Sequence, residues 1–203
     1  MSLYKEKYRI ESSRLKDWDY SSPGIYFITI CTKDRLCLFG NIEKGEMIFS
    51  ECGLIVKEEW EKSFDIRKEL VCDAYVIMPN HIHAIIYILE KQKDCNVEVE
   101  THGQNNNTIP NDNVETHSRA SLRYSNTGVS YRPPKSISSF VAGFKSITTK
   151  RINILTNTKE SIWQSRFYDH IIRNKKELNA IRKYIMHNPI KWQEDQYFNG
   201  GLK

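Results

Sequence analysis

Apolar positions along this 203-residue chain fall into runs of two kinds, one alternating and one helical in period. Residues 24–40, GIYFITICTKDRLCLFG, are dense in aromatic and β-branched side chains and predict a long strand. GEMIFSECG (45–53) predicts a short strand and a turn. In LIVKEEWEKSF (54–64) the apolar residues 54, 55, 56, 60 and 64 alternate with charges at helical spacing, which predicts an amphipathic helix. Two apolar strands, 70–78 and 81–89, flank a Pro79-Asn80 turn and predict a hairpin. Ile137, Phe140, Val141, Phe144, Ile147 and Ile152 give a second helix over 136–155, with Ser136 or Ser138 as its cap. SIWQSRFYDHIIR (161–173) predicts a strand. A last helix spans 174–189, capped by Asn174, lined by Leu178, Ile181 and Ile185, and stopped at Pro189.

This order places a hairpin between two βα units. It predicts an α+β fold: a ferredoxin-like antiparallel sheet, βαββαβ, with helices on one face and an extra C-terminal helix. Between 91 and 134 the pattern disappears. That stretch is rich in Asn, Thr and Ser, nearly empty of large aliphatics, and carries Val-Glu-Thr-His twice, at 99–102 and 114–117. It cannot bury enough apolar surface to offset ordering entropy, so a mobile polar insertion within a single 1–203 domain is expected, with His102 and His117 solvated.

Charge changes the picture next. Between Lys135 and Lys191 stand 12 Lys/Arg against 3 acids, a local balance of +9, so the remainder carries −4 of the net +5. A basic excess confined to one stretch suits a phosphate-backbone partner, although a solvated helix face would also account for it. Five scattered cysteines without a Cys-x-x-Cys pair argue for reduced thiols and a cytoplasmic protein. The N-terminus has no secretory pattern, and no apolar run approaches the ~20 residues of a membrane helix.

The candidate chemistry begins with His81 and His83. Strand side chains alternate faces, so the two imidazoles point the same way, about 7 Å apart along the backbone. A bare His-x-His is more simply read as two hydrogen-bonded histidines at a sheet end. In RKYIMHNP, however, Tyr184 and Asn188 share one helical face at i and i+4, with His187 nearby. Two imidazoles and an amide oxygen could hold a cation beside a phenol. Such an ion polarises a phosphoryl oxygen and activates a phenol that is otherwise a weak nucleophile.

Pro79-Asn80-His81-Ile82-His83, the FKSITTKRIN helix, the IWQSRFYDHIIRN strand and Tyr-x-x-x-Asn-Pro, in this order, resemble the HUH single-tyrosine transposases of small insertion sequences. The REP-associated tyrosine transposases are the nearer branch, because Asn rather than Gln follows the tyrosine by four residues. The resemblance runs over roughly 20–90 and 135–195. It implies His81, His83 and Asn188 as metal ligands, Tyr184 as nucleophile, and Mg²⁺ or Mn²⁺ as cofactor; ligand softness alone leaves Zn²⁺ open as well. The implied reaction is cleavage and rejoining of single-stranded DNA, at a hairpin or palindrome, through a 5′-phosphotyrosine. Candidate DNA contacts are Lys145, Lys150, Arg151, Arg166, Arg173, Lys175, Lys176, Arg182 and Lys183. His170 and His187 are candidate proton carriers, and Trp163 and Phe167 are expected in the core rather than stacking bases. The partner expected is single-stranded or hairpin DNA, with the protein a monomer or homodimer and no membrane involved. The insertion at 91–134 and the end of the chain soon after the tyrosine motif depart from the family pattern. Three other readings remain: a non-catalytic binder of DNA hairpins with the same fold, a water-using metal phosphodiesterase, and a structural domain with buried histidines.

Overall fold

The computed structural model describes residues 18–90 and 135–198, so the expected insertion, with His102 and His117, lies outside the described residues. Those residues form β1 (Gly24–Cys31), β2 (Gly40–Glu43), β3 (Glu46–Phe49), α1 (Glu51–Ile66), β4 (Leu70–Met78), β5 (His81–Ile88), α2 (Ile137–Thr156), β6 (Tyr168–Ile172) and α3 (Lys175–His187). The main sheet runs β4-β5-β1-β6, with every neighbour antiparallel. With the β2–β3 ribbon set apart, this is the ferredoxin-like βαββαβ sheet that the element order predicts.

Strand parity divides the sheet's two faces. Ile82, Ala84 and Ile86 of β5 and Tyr26, Ile28 and Ile30 of β1 join Val56 and Trp60 of α1 and Phe140, Val141 and Phe144 of α2 in the larger core. The opposite parity, Ile85 with Ile25 and Phe27, packs with Ile172 against Leu178, Ile181 and Ile185 of α3. Thus α1 and α2 cover one face, and α3 covers the other. No helix among the described residues is long and apolar enough to cross a membrane.

Two predicted strands are shorter than their composition implies. The run 24–40 stops at Cys31 because Asp34 and Arg35 take positive φ (53° and 56°) and a 3-10 turn spans Lys33–Arg35. Thr32 holds that turn by donating its hydroxyl to Leu36 O (2.8 Å) and Asn80 O (3.0 Å). In 161–173, only Tyr168–Ile172 joins the sheet. Trp163 instead makes an isolated bridge with Thr32 and buries its ring in the larger core, where Phe167 also packs. α1 starts earlier than predicted: Ser50 caps it by accepting from Gly53 N at 3.1 Å.

Candidate metal and tyrosine site

The site lies where β5 leaves the Pro79-Asn80 turn, on the sheet face covered by α3. His81 sits opposite Met78 and Cys31, and His83 opposite Val76 and Thr29. Both histidines are buried, at 0% and 1% exposure. The backbone of a turn and a neighbouring strand therefore sets where each ring points.

Their hydrogen bonds fix which nitrogen is available. Asn80, itself buried, donates through Nδ2 to Arg35 O (3.0 Å) and Tyr197 O (2.8 Å). Its Oδ1 is left to accept from His81 Nδ1 at 2.8 Å. This network assigns the proton to Nδ1, so Nε2 carries a lone pair, and that atom is buried without a partner. His83 Nδ1 lies 2.8 Å from Thr29 Oγ1, and its Nε2 lies 3.0 Å from the Tyr184 phenol oxygen. With the proton on Nδ1 and donated to Thr29, Nε2 accepts from the phenol.

The helix supplies the other half. Tyr184 keeps 41% of its surface exposed, whereas Asn188, one turn on, is buried. Asn188 Nδ2 donates to Asp195 Oδ2 at 2.8 Å, which turns the amide so that Oδ1 is buried and unpartnered. Asp195 Oδ2 also lies 3.5 Å from the Tyr184 oxygen, and Asp195 Oδ1 accepts from Tyr197 N at 2.7 Å. The Tyr197 ring closes over the pair, 4.6 Å from His81 and 5.7 Å from His83, with the Arg35 guanidinium 5.3 Å from its centroid.

Burial holds both imidazoles neutral. It pushes His81 down to about 3, with Arg35 adding to the effect. His83 is also driven well below its ordinary value by burial, then by His81, with Asp195 opposing. The Tyr184 phenol is raised above its usual value by burial first and by Asp195 and Tyr197 next. Neutral imidazoles are ligand-competent, and the donor atoms of His81, His83 and Asp195 lie within 4.8 Å of one another. Two neutral nitrogen lone pairs, an unpartnered amide oxygen and a carboxylate fit a divalent cation.

The two candidate proton carriers have their hydrogen-bond partners away from the phenol. His170 Nε2 lies 2.7 Å from Glu177 Oε1, and His187 Nδ1 lies 2.7 Å from Lys183 O. The basic residues divide by partner. Arg151 is bound by Glu58 and Glu59 of α1, and Arg182 forms a two-pronged pair with Asp73 at 2.6 and 2.7 Å. Lys145 donates to Gln164 O and Arg166 O at 2.7 and 3.0 Å. Arg166 lines a groove with Lys33, Arg35, Trp163 and Gln164. Arg173, Lys175 and Lys176 cluster at the start of α3, and Lys150 and Lys183 are exposed on α2 and α3.

Asp195, Asn80 and Tyr197 are site residues that the sequence reading did not single out. Asn80 stood in the quoted turn, but as a turn former. Asp195 lies seven residues beyond Asn188, in no periodic segment, and no spacing rule marks it.

A family described as "Transposase IS200 like" matches residues 126–188, a span that holds α2, the Trp163 bridge, β6, Tyr184 and Asn188. Over that span the chain is similar to the IS200-like transposases. The strand that carries His81 and His83, upstream of that span, lies on the sheet face that α3 covers. A Haemophilus influenzae protein, described as uncharacterized, is 35% identical over 188 residues, covering 92% of each chain. A solved REP-associated tyrosine transposase bound to a REP hairpin is similar in fold, with TM-score 0.51 and 20% identity over 95% of this chain and 74% of that one.

Proposed function

We propose that this chain is an IS200-like transposase that cuts and rejoins single-stranded DNA by transesterification through Tyr184, with His81, His83 and Asn188 holding Mg²⁺ or Mn²⁺. The observation that carries the reading is one juxtaposition: a half-exposed phenol 3.0 Å from a buried imidazole, beside a buried His81 nitrogen and Asn188 oxygen that lack partners. A purely structural histidine pair has no need of two orphaned acceptors, since each costs about 1–3 kcal/mol when buried unsatisfied. An ion bound there would neutralise charge developing on the phosphoryl oxygens and favour the phenolate.

The chain's own groups then do the following. Asn80 and Thr29 hold the rings of His81 and His83 in the tautomer that directs Nε2 inward. α3 carries Tyr184 on a rigid element, so the nucleophile is positioned before substrate arrives. The phenol oxygen attacks a phosphodiester phosphorus; the bond to the 3′-oxygen breaks, and that oxygen leaves as a 3′-OH. The product is a 5′-phosphotyrosine, and attack by another 3′-OH reverses the exchange without an external energy source. With the His83 Nε2 lone pair committed to the ion, the phenol's proton passes to Asp195, whose Oδ2 also lies on its oxygen, rather than to His170 or His187.

A REP hairpin is bound by the solved relative of similar fold, which supports a hairpin flanked by single strand as substrate here and membership of the REP-associated branch. Placement in the cytoplasm follows from that substrate. We read 1–203 as one domain interrupted at 91–134.

The test is covalent trapping. The protein is incubated with single-stranded oligonucleotides covering the palindromes beside its gene, with Mg²⁺ or Mn²⁺, and denaturant-resistant adducts are mapped by mass spectrometry. A metal-dependent adduct on Tyr184, absent in Tyr184→Phe and reduced at least about 100-fold in His81→Ala, is the expected result. Tight hairpin binding without any adduct would instead identify a binding protein, and cleavage that survives Tyr184→Phe a water-using phosphodiesterase.

A further inference from the structure

We propose that Asp195 is a fourth protein ligand of the divalent ion, a carboxylate supplied by the segment that follows α3. The inference rests on the metal reading above and extends it beyond the two histidines and the asparagine.

Geometry comes first. One carboxylate oxygen of Asp195 and one nitrogen from each histidine lie within 4.8 Å of one another, close enough to converge on a single cation. Asp195 is the one acid so grouped with the histidines among the described residues. Its position is set rather than free: Tyr197 N donates to Oδ1 at 2.7 Å, while Oδ2 faces Asn188 Nδ2 and the Tyr184 oxygen. The Tyr197 ring, seated against both imidazoles, ties the same segment to the site.

Charge is the second argument. An imidazole binds a metal as the neutral ring and Asn188 is a neutral amide, so these three buried groups offer a dication no compensating charge. A buried, uncompensated ion is costly, and a carboxylate at ligand distance offsets that cost. Two imidazoles alone favour zinc-like ions, whereas adding a carboxylate to an amide oxygen shifts the set towards hard cations such as Mg²⁺ and Mn²⁺.

The competing role for Asp195 is orientation alone, with its carboxylate turning the Asn188 amide. Loss of affinity in Asp195→Asn would not separate the two, because removal of an outer partner also costs about 10–100-fold. Asp195→Cys with Co²⁺ does separate them. A thiolate at position 195 that coordinates cobalt gives a near-ultraviolet thiolate-to-cobalt charge-transfer band, and a thiolate that only neighbours the site does not. The wild-type spectrum controls for Cys31, which lies opposite His81.

The expected result is a new band in Asp195→Cys that His81→Ala in the same background removes. Asp195→Asn is expected to weaken Mn²⁺ by about 10–100-fold in a titration followed by electron paramagnetic resonance, with thermal melting confirming the fold. Cobalt bound by Asp195→Cys without the band, or wild-type Mn²⁺ affinity in Asp195→Asn, would overturn the fourth ligand and leave the three-ligand reading standing. Absence of any divalent-ion binding by the wild-type protein would overturn both.

Discussion

At the residue scale, burial decides how the two histidines respond to protons. His81 titrates at about 3 rather than 6.5, and His83 is displaced in the same direction, in each case chiefly by desolvation. The sign follows from linkage. Between about 6.5 and about 3 the unfolded chain binds protons that the native His81 refuses, so stability is full above the unfolded value and is lost as pH falls. In that window His81 contributes a slope of about 1.4 kcal/mol per pH unit, and His83 acts in the same direction. Urea denaturation in a chelator, repeated from about pH 7 to about pH 5, should therefore show stability falling, and His81→Asn should flatten the slope by about one proton. An unchanged slope in that variant would place the acid sensitivity elsewhere. His81 and His83 were legible from spacing because a strand's period is fixed. The unpartnered Nε2 was not, since it depends on Asn80 being turned by the carbonyls of Arg35 and Tyr197, residues distant in sequence.

At the element scale, the helices were the most legible parts, because each carries both a period and a start signal. Asn174 accepts from Glu177 N at 2.9 Å, and Leu178, Ile181 and Ile185 face the sheet, as their spacing predicts. The misjudged strands failed for tertiary reasons. Apolar density in 24–40 and 161–173 reports burial, and burial is equally served by a turn or by one isolated bridge packed beneath α2. α3 also yields a separable prediction. Asn174→Ala removes its cap acceptor, at a cost of about 1 kcal/mol. Glu177 still binds Arg173 N and His170, so the helix should fray only in its first turn, and Tyr184, three turns on, should keep forming its DNA adduct. Urea denaturation and the trapping assay, run on one preparation, check both halves; a loss of adduct much larger than the loss of stability explains would show that the cap positions the nucleophile.

At the scale of the whole molecule, the sheet brings together segments that the sequence holds apart. The β1 end and its 3-10 turn, the hairpin turn, α3 and the stretch 192–198 all meet at one sheet end, across as many as 117 residues between Asn80 and Tyr197. Element order predicts that sheet, and ligand chemistry together with the resemblance linked its histidines to the tyrosine; nothing in local pattern linked either to Asp195. The same assembly sorts the basic residues, which composition could only count. Arg151 is held by Glu58 and Glu59 in the helix layer on the sheet face away from α3. Arg166 instead lines the groove that contains Arg35, and Arg35 stacks on Tyr197 over the histidines. A single strand leaving the tyrosine along this groove would meet Arg166 and not Arg151. Each phosphate contact on a single strand steepens the dependence of log affinity on log salt by about 0.7. Arg166→Ala should therefore weaken binding of a hairpin with a single-stranded flank and reduce that slope by about 0.7, while Arg151→Ala should change it far less. Fluorescence anisotropy at several salt concentrations measures both slopes. Equal slopes for the two variants would remove the groove as the strand's path and return the basic excess to general attraction of the backbone.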